Sequence, residues 1–483
     1  MQESNDRIHT QGRRWRRQLR LLLTVLPLGF LWSATDVAAA TGALMQLLGT
    51  VGCVSEDGTM GTCIDGHGLL GAGSVAVSPD GRYVYVASFG STSSAVTTFS
   101  AVTTFTRSTT GVLSQLNGIA GCVSGMGDGV TCGKGRGLNG AVSVAVSPDG
   151  QHVYVASRDS NAVAIFRRNV MTGVLTQPAG PAGCIAANGA DENCTRGTAM
   201  VGLRTVTVSH DGKSVYVGAR DGDAVVVLAR DPMTGALTQL SGPAGCVSET
   251  GTGGLCLDGH GLSGARGVAV SPDNRHVYVA AQNSNAVVSF GRDMTTGALT
   301  QLAGLAGCIA MKSDGVTCAL GRGLQAPIHV EVSLDGQHVY VASRDSNAVA
   351  IFRRDTTTGA LIQLAGLAGC IAENGDGGTC AVGAGLHEAV FLTVSLDGTN
   401  LYVASQISHA VATFSRNVVT GALTQLPGVA GCVSEDGSDD RIAKVCTDGK
   451  GLLGAIAVTV SPDGLNVYGA SYISNALAVF NRN

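Results

Sequence analysis

Short apolar stretches alternate with polar turns along almost the whole chain. A turn of the form Ser-x-Asp-Gly or Ser-x-Asp-Asn recurs seven times, beginning at Ser78, Ser147, Ser209, Ser271, Ser333, Ser395 and Ser461. Each turn lies between two alternations of β-branched and small residues, as in 144–146 and 152–156. Alternation with a period of two on both sides of a tight turn predicts a β-hairpin.

Two further strands are predicted in each unit, for example at 162–166 and 174–177. Seven units of four antiparallel strands without helical periodicity predict an all-β, seven-bladed β-propeller. A solenoid would need atypical capping repeats, which neither end of the array provides. The array begins with a lone fourth strand at 42–47 and stops after a third strand at 475–480. The N-terminal strand is therefore expected to complete the last blade and close the ring.

The first forty residues differ from the repeats. Five arginines between residues 13 and 20 precede an apolar run at 21–32, and three alanines follow at 38–40. These features predict a signal peptide at 1–40 and a single propeller domain at 41–483. The apolar run is shorter than the roughly 20 residues that span a bilayer, which favours cleavage over the alternative of an uncleaved tether. We expect an exported protein, periplasmic or extracellular, with no stable membrane span after cleavage; the export route stays open between the general and twin-arginine systems.

Composition narrows the choice of partners. With 45% hydrophobic and 14% charged residues, the chain is too apolar to be disordered. Residues 1–40 contain six Arg and three acidic residues, so the net charge of residues 41–483 is more negative than the −4 of the whole chain. An acidic domain disfavours nucleic acid as a partner. Both tryptophans, Trp15 and Trp32, precede the repeats, which excludes a Trp platform for sugars there. We expect no cofactor.

Fourteen cysteines occur in pairs, one pair in each connection from strand four of a unit to strand one of the next. An even number of cysteines in an exported chain indicates disulfides, and a bridge within each loop is the simplest connectivity. Metal binding is the alternative, but zinc sites use more closely spaced cysteine pairs, and we expect no metal. The pairs are Cys53 and Cys63, Cys122 and Cys132, Cys184 and Cys194, Cys246 and Cys256, Cys308 and Cys318, Cys370 and Cys380, and Cys432 and Cys446.

The repeated cores carry a family resemblance. Val-Ser-Pro-Asp-Gly at 77–81 and Tyr-Val-Ala-Ser at 85–88 resemble the lactonase-like seven-bladed β-propellers and their Tyr-Val-Thr-Asn-repeat relatives. That family includes 6-phosphogluconolactonase-like and carboxymuconate-cyclase-like members. The resemblance implies the propeller fold far more strongly than any one activity, because a fold hosts many functions.

Basic residues follow the second cysteine of most units, between glycines. Four of them are expected to contribute to ligand binding: His67, Arg136, His260 and Arg322. A ring of positive charge around the channel mouth would attract anions to an otherwise acidic protein. The alternative is that these are solvated charges on repeated loops.

A ligand without sevenfold symmetry should bind where the repeat is broken. His329 and Glu331 stand on strand one of unit five, and alternation places both side chains on the same face. Other anomalies at the same end of the units, expected to bind the ligand, are Arg204, Arg266, His387 and Glu388.

A His and Glu pair near arginines could activate water and hold a carboxylate or lactone oxygen, so His329 and Glu331 are the candidate catalytic residues. The structural alternative is a buried pair that satisfies itself. We expect a monomeric, exported scaffold that binds a small anionic ligand, or a protein or cell-surface partner, without turnover. The functional alternative is a lactonase-like hydrolase or cyclase acting on a small anionic or lactone substrate in the central channel.

Overall fold

Seven β-sheets form the blades of a β-propeller in the computed structural model of the chain. The predicted all-β, seven-bladed fold is confirmed. Among the residues that the structure describes, the only helices are short 3-10 turns, and none is long or apolar enough to cross a membrane. The predicted signal peptide lies outside the described residues, which are 41–90, 100–127, 129–187, 193–312 and 315–483.

Strands one, two and three of each blade form a continuous antiparallel sheet, with strand one innermost, where it packs against strand one of the neighbouring blades. Blades are numbered in the order of their Ser-x-Asp turns, which join strand one to strand two. Strand one is Ala72–Val77, Ala141–Val146, Leu203–Val208, Ala265–Val270, Pro327–Val332, Ala389–Val394 and Ala455–Val460. Strand two is Tyr83–Ser88, His152–Ser157, Ser214–Ala219, His276–Ala281, His338–Ser343, Asn400–Ser405 and Asn466–Ser471. Strand three is Ala101–Arg107, Ala162–Arg168, Ala224–Arg230, Ala286–Arg292, Ala348–Arg354, Ala410–Arg416 and Ala476–Arg482.

Each blade has six strands rather than the four predicted. Strand four pairs only with the end of strand three, as Leu175 does with Arg168. A 3-10 turn follows strand four. Strand five then pairs antiparallel with the start of strand three, and strand six pairs parallel with strand five. In blades one to six, strand four is Leu113–Gln115, Leu175–Thr176, Leu237–Gln239, Leu299–Gln301, Leu361–Gln363 and Leu423–Gln425. Strand five is Cys122–Ser124, Cys184–Ala186, Cys246–Ser248, Cys308–Ala310, Cys370–Ala372 and Cys432–Ser434. Strand six is Gly133–Lys134, Thr195–Arg196, Leu257–Asp258, Ala319–Leu320, Ala381–Val382 and Thr447–Asp448.

Blade seven combines the two ends of the described chain. Leu44–Gln46 and Cys53–Ser55 pair antiparallel with Ala476–Arg482, and Ile64–Asp65 runs parallel to the second of these strands. The 3-10 turns between strands four and five are Gly118–Ala120, Gly180–Gly183, Gly242–Gly245, Gly304–Ala306, Gly366–Gly369, Gly428–Gly431 and, in blade seven, Gly49–Gly52. Three more lie within disulfide loops, at Gly58–Gly61, Gly251–Gly254 and Gly375–Gly378.

The seven predicted disulfides are confirmed, each within its own loop. Every bridge joins the first residue of strand five to the residue before strand six, as Cys184 to Cys194. These loops are rich in glycine and bury few side chains of their own. Closing a loop of this length stabilises the folded chain by about 2–3 kcal/mol in the chain-entropy model.

The hydrophobic core lies between the blades. Val277 and Phe290 of blade four, for example, belong to one buried cluster with Tyr216 and Val225 of blade three. All residues of strand two are buried in every blade. Adjacent blades therefore stabilise each other by removing apolar surface from water.

A buried arginine bridges each pair of adjacent blades. Arg230, the last residue of strand three in blade three, donates to the Tyr154 hydroxyl of blade two (2.8 Å) and to the Gly212 carbonyl (2.8 Å). It also forms an ion pair with Asp149 of the Ser-x-Asp turn in blade two (2.6 Å). Tyr154 donates in turn to the Gly235 carbonyl of blade three (2.9 Å). The seven arginines of this interblade seam are Arg107, Arg168, Arg230, Arg292, Arg354, Arg416 and Arg482.

The first residue of strand two accepts a hydrogen bond from the seam arginine in most blades. In three seams the acceptor is a histidine Nδ1, from His152, His276 and His338. Asn400 and Asn466 use their amide oxygens in the same place. Burial, followed by the charge of the adjacent arginine, lowers the pKa of all three histidines. The imidazoles therefore accept this bond in their neutral form.

Replacing the three seam histidines with asparagine should reduce the sensitivity of the fold to acid. Because their folded pKa values lie below the ordinary value of about 6.5, the stability they contribute is present above that pH and is lost as the pH falls. We expect the melting temperature of the triple variant, with His152→Asn, His276→Asn and His338→Asn, to decrease less between pH 7.5 and pH 5 than that of the wild type. Differential scanning calorimetry at both pH values measures this loss.

The matched control is His260→Asn, which changes an exposed histidine outside the seams. It should retain the pH profile of the wild type. An unchanged acid profile in the triple variant would show that seam protonation does not limit stability.

Candidate functional site

The centre of the ring encloses a cavity of about 260 Å³. Residues at the start of strand one and just after strand two supply its walls, and all seven blades contribute. The lining consists of Gly73, Ser74, Phe89, Val142, Ser143, Arg158, Arg204, Thr205, Arg266, Ile328, His329, Val390, Phe391, Gln406, Ile456 and Tyr472. Among the described residues, no aspartate or glutamate belongs to this lining.

Two arginines on one side of the cavity lack a carboxylate partner. The Nε atom of Arg204 is buried without a hydrogen-bond partner, and Arg266 donates to the Gln282 side-chain oxygen (3.2 Å). Within the described part of the chain, neither guanidinium forms an ion pair. Burial, followed by repulsion from neighbouring arginines, lowers the pKa of Arg204 to about 10 and that of Arg266 to about 9. Both remain charged at neutral pH and create an electrostatic attraction for an anion.

Aromatic rings form the other side of the cavity. His329 and Phe391 stack with their ring centroids 3.7 Å apart and their planes 25° apart. Phe89 and Tyr472 contact each other at 6.4 Å, and the Arg158 guanidinium lies over the Phe89 ring at 4.3 Å. The Phe89–Tyr472 and Arg158–Phe89 separations fall within the usual ranges for aromatic and cation–π contacts, whereas the His329–Phe391 stack is closer than most aromatic pairs.

His329 lines the cavity as a neutral imidazole. Burial lowers its pKa to about 3, and its Nδ1 atom is enclosed without a hydrogen-bond partner. A ring with so low a pKa is a weak base at neutral pH. Its stacking on Phe391 is the contact that holds it in place.

Glu331 lies outside the lining, although it is on the same face of strand one as His329. Its Oε1 accepts hydrogen bonds from the Val394 amide (3.0 Å) and the Thr393 hydroxyl (3.5 Å) of blade six. Burial raises its pKa to about 8. No hydrogen bond joins Glu331 to His329 in the described structure, so the two do not form the self-satisfied pair considered as the structural alternative.

His387 and Glu388 also lie outside the cavity lining. His387 pairs with Asp440 (2.7 Å), which belongs to the disulfide loop of blade six. The two cysteines of that loop are 14 positions apart in the sequence, whereas those of the other six loops are 10 apart. The Glu388 amide donates to the Asn347 side chain. The hydrogen bond from Arg344 to Asp345 raises the pKa of Arg344, and the Glu388 carboxylate adds a smaller effect in the same direction.

The basic residues of the disulfide loops lie beside strand four of the following blade, away from strand one. Arg136 donates to the carbonyls of Pro178 (2.9 Å) and Gly180 (2.7 Å). Arg322 makes the corresponding bonds, and the side chains of His67 and His260 are exposed. A ligand in the cavity would contact none of these four side chains, so their effect on it would be long-range electrostatics.

The aromatic wall was not predicted as part of the site. Phe89 and Tyr472 occupy the position just after strand two, where other blades have residues such as Arg158 and Gln406. Phe391 stands where other blades have small residues or His329. The signal that could have found them is the same break in the repeat that singled out His329.

The comparisons with known proteins agree with the fold. A family model described as Lactonase, 7-bladed beta-propeller, matches residues 260–307. This match and the seven blades confirm the resemblance to lactonase-like propellers. A search of curated proteins finds no match to the chain.

Several solved structures are similar in fold at low identity. The periplasmic gluconolactonase of Pseudomonas aeruginosa is 18% identical, with a TM-score of 0.50, over 73% of this chain and 84% of its own. Hydrazine synthase of Kuenenia stuttgartiensis is 17% identical, with a TM-score of 0.49, over 86% and 97%. A protein from Lactobacillus plantarum is 17% identical, with a TM-score of 0.47, over 74% and 83%.

The Glu331→Gln variant should be more stable than the wild type at alkaline pH. Because the folded pKa of Glu331 is raised to about 8, its contribution to stability is present below the unfolded value of about 4.3 and is lost as the pH rises toward 8. Glutamine keeps the acceptor for Val394 but does not ionise. We expect the difference in melting temperature to grow in favour of the variant between pH 5 and pH 8.5, measured by calorimetry.

The Glu388→Gln substitution, at a partly exposed position, controls for the loss of a negative charge near the same blades. It should show no such pH-dependent difference. A constant difference between Glu331→Gln and the wild type across this range would contradict the assignment of a protonated Glu331.

Proposed function

We propose that this lactonase-like, disulfide-bonded propeller is an exported protein that binds a small organic anion in its central cavity. A role as a scaffold without turnover agrees with a cavity in which the sole imidazole among the described lining residues is a weak base. We also propose that it acts as a monomer, because one chain supplies all seven blades.

The observation that carries this proposal is the pair of guanidinium groups, Arg204 and Arg266, without carboxylate partners. Burying a charge is unfavourable unless it is paired, and proteins usually satisfy such groups internally. The seam arginines of this same chain are all satisfied in that way. A carboxylate ligand would supply the missing partner, with charge-assisted hydrogen bonds to a planar donor.

Export is supported by seven disulfides, since such bonds form and persist in oxidising compartments. The leader-like sequence of residues 1–40 points the same way. We propose the periplasm or the extracellular space as the location. A partner protein or cell surface bound at the channel mouth is a further outcome of the binding experiments below.

Lactone hydrolysis is the second candidate function. The observation in its favour is the position of His329 in a cavity with two arginines that could hold a carbonyl or carboxylate oxygen. Glu331, hydrogen-bonded to the neighbouring strand, would act in this case only as a protonated carboxyl near the site.

Removing the cationic side of the cavity should weaken anion binding. We expect the purified protein to bind at least one of benzoate, hexanoate and gluconate, and to bind the corresponding neutral amide at least tenfold more weakly. The Arg204→Gln and Arg266→Gln double variant should lose at least tenfold in affinity, because a hydrogen bond to a charged group is worth about 1.5–3 kcal/mol. Isothermal titration calorimetry measures both differences.

Arg136→Gln is the matched control, since it removes an arginine with backbone partners at the outer side of a blade. It should keep the affinity of the wild type. Equal affinity in the double variant, or equal binding of acid and amide, would place the anion elsewhere or refute anion binding.

A lactone assay separates binding from catalysis. If the scaffold proposal holds, the protein should not accelerate the hydrolysis of glucono-δ-lactone or of other small lactones above the spontaneous rate, followed in a pH-stat. Turnover that falls at least about a hundredfold in His329→Ala and persists in Arg136→Gln would make hydrolysis the function, in line with the 10²–10⁴-fold effect of general bases. Glu331→Gln would then tell whether the protonated carboxyl takes part.

A further inference from the structure

Aromatic residues that do not belong to the repeat collect at the cavity. The chain is only 4% aromatic, and 13 of its 21 aromatic residues recur as seam tyrosines or as core phenylalanines of strand three. Among the described residues, four aromatic residues do not belong to these two sets: Tyr83, the first residue of strand two in blade one, and Phe89, Phe391 and Tyr472. Phe89, Phe391 and Tyr472 line the cavity. The equivalent positions in other blades carry arginine, glutamine, histidine or small residues, so the repeat does not require these rings, although Phe391 also packs against the hydrophobic cores beside it.

The cavity is divided into an aromatic arc and a cationic arc. His329, Phe391, Tyr472 and Phe89 come from blades five, six, seven and one, which are consecutive around the ring. Arg158, Arg204 and Arg266 come from blades two, three and four. A molecule that fills the cavity must therefore present an anionic group to one side and an apolar face to the other.

The aromatic arc favours a planar ligand. His329 and Phe391 both line the cavity with their rings stacked face to face at 25°, so each ring covers one face of the other. Phe89 and Tyr472 contact each other at a tilt. Aromatic ligands gain from both stacked and tilted contacts with such rings. The cavity of about 260 Å³ is smaller than the roughly 300–1,000 Å³ of pockets for drug-sized ligands, which restricts the ligand to about one ring.

Among the described lining residues, the aromatic arc has few groups that could bind the many hydroxyls of a sugar acid: the Gln406 amide, the Tyr472 and Ser74 hydroxyls and the His329 ring nitrogens. The nearest serine hydroxyls, of Ser74 and Ser143, already accept hydrogen bonds from the backbone amides of the next blade (3.2 Å each). Buried hydroxyls without partners lower affinity. The lining therefore suits a ring with one acidic group better than a polyhydroxylated chain.

We infer that the cavity selects a single-ring aromatic carboxylate, with its ring against the rings of the aromatic arc and its carboxylate at Arg204 and Arg266. This inference rests on the proposed anion-binding function and specifies the chemical class of the anion.

Four probes of the purified protein test the inference by isothermal titration calorimetry: benzoate, cyclohexanecarboxylate, gluconate and benzamide. Benzoate and cyclohexanecarboxylate share charge and approximate size and differ in the π face. We expect benzoate to bind about tenfold or more tightly than cyclohexanecarboxylate and gluconate, because two aromatic contacts of ordinary strength correspond to that ratio. Benzamide should bind at least tenfold more weakly than benzoate.

Two variants locate the ring. Phe391→Leu keeps an apolar side chain and removes the stacking surface, and Tyr472→Leu changes a partly exposed ring that the fold depends on less. Each should bring the affinities for benzoate and cyclohexanecarboxylate to within about twofold to threefold of each other. The exposed Leu255→Ala substitution in a disulfide loop is the control and should retain the tenfold preference.

The outcomes separate the two proposals. If cyclohexanecarboxylate or gluconate binds as tightly as benzoate, or if both leucine variants keep the preference for benzoate, the aromatic assignment is wrong and anion binding stands. If none of the three carboxylates binds better than benzamide, the proposed anion-binding function itself is wrong.

Discussion

The buried arginine of the interblade seam is the interaction on which the rest of the structure depends. Arg230 has its donors distributed over a tyrosine hydroxyl, a carbonyl, a carboxylate and an imidazole, and three of these four acceptors belong to the neighbouring blade. An unpaired buried guanidinium would be strongly destabilising, so two adjacent blades can pack in only one register. The glycine at the strand three to four turn is part of the same constraint: Gly235 has φ of +74°, and a Cβ there would lie 2.1 Å from the His152 ring.

This seam holds the blades together at a distance from the axis of the ring. Strands two and three carry the buried apolar surface, whereas the start of strand one faces a cavity that is only partly filled. Residues at those inner positions can therefore depart from the repeat without breaking a seam. The contrast between Arg230 and Arg266 shows the consequence, because the same residue type is fully satisfied in the seam and lacks a carboxylate partner at the axis.

The disulfide loops add a second layer of constraint at the outer side of the blades. In several blades a glutamate three residues after the first cysteine accepts a hydrogen bond from the crossover to the next blade, as Glu249 does from the Leu262 amide. Burial raises the pKa of the equivalent Glu56, Glu373 and Glu435. The longer loop of blade six keeps this bond, through Glu435 and the Leu452 amide, and in addition contacts His387 through Asp440.

The sequence by itself determined the number of blades, the first three strands of each and the disulfide pairing, because all of these depend on residues close together within one repeat. It also singled out Arg204, Arg266 and His329, since a residue that breaks a repeat is visible without coordinates. Only the tertiary structure decided that Glu331 bonds to the next blade, that Arg136 serves a loop rather than the channel, and that Phe89 meets Tyr472. Those contacts join different blades, and for Phe89 and Tyr472 the first and last blades. Their geometry follows from the closing of the ring and the direction of each side chain within it, which local alternation does not specify.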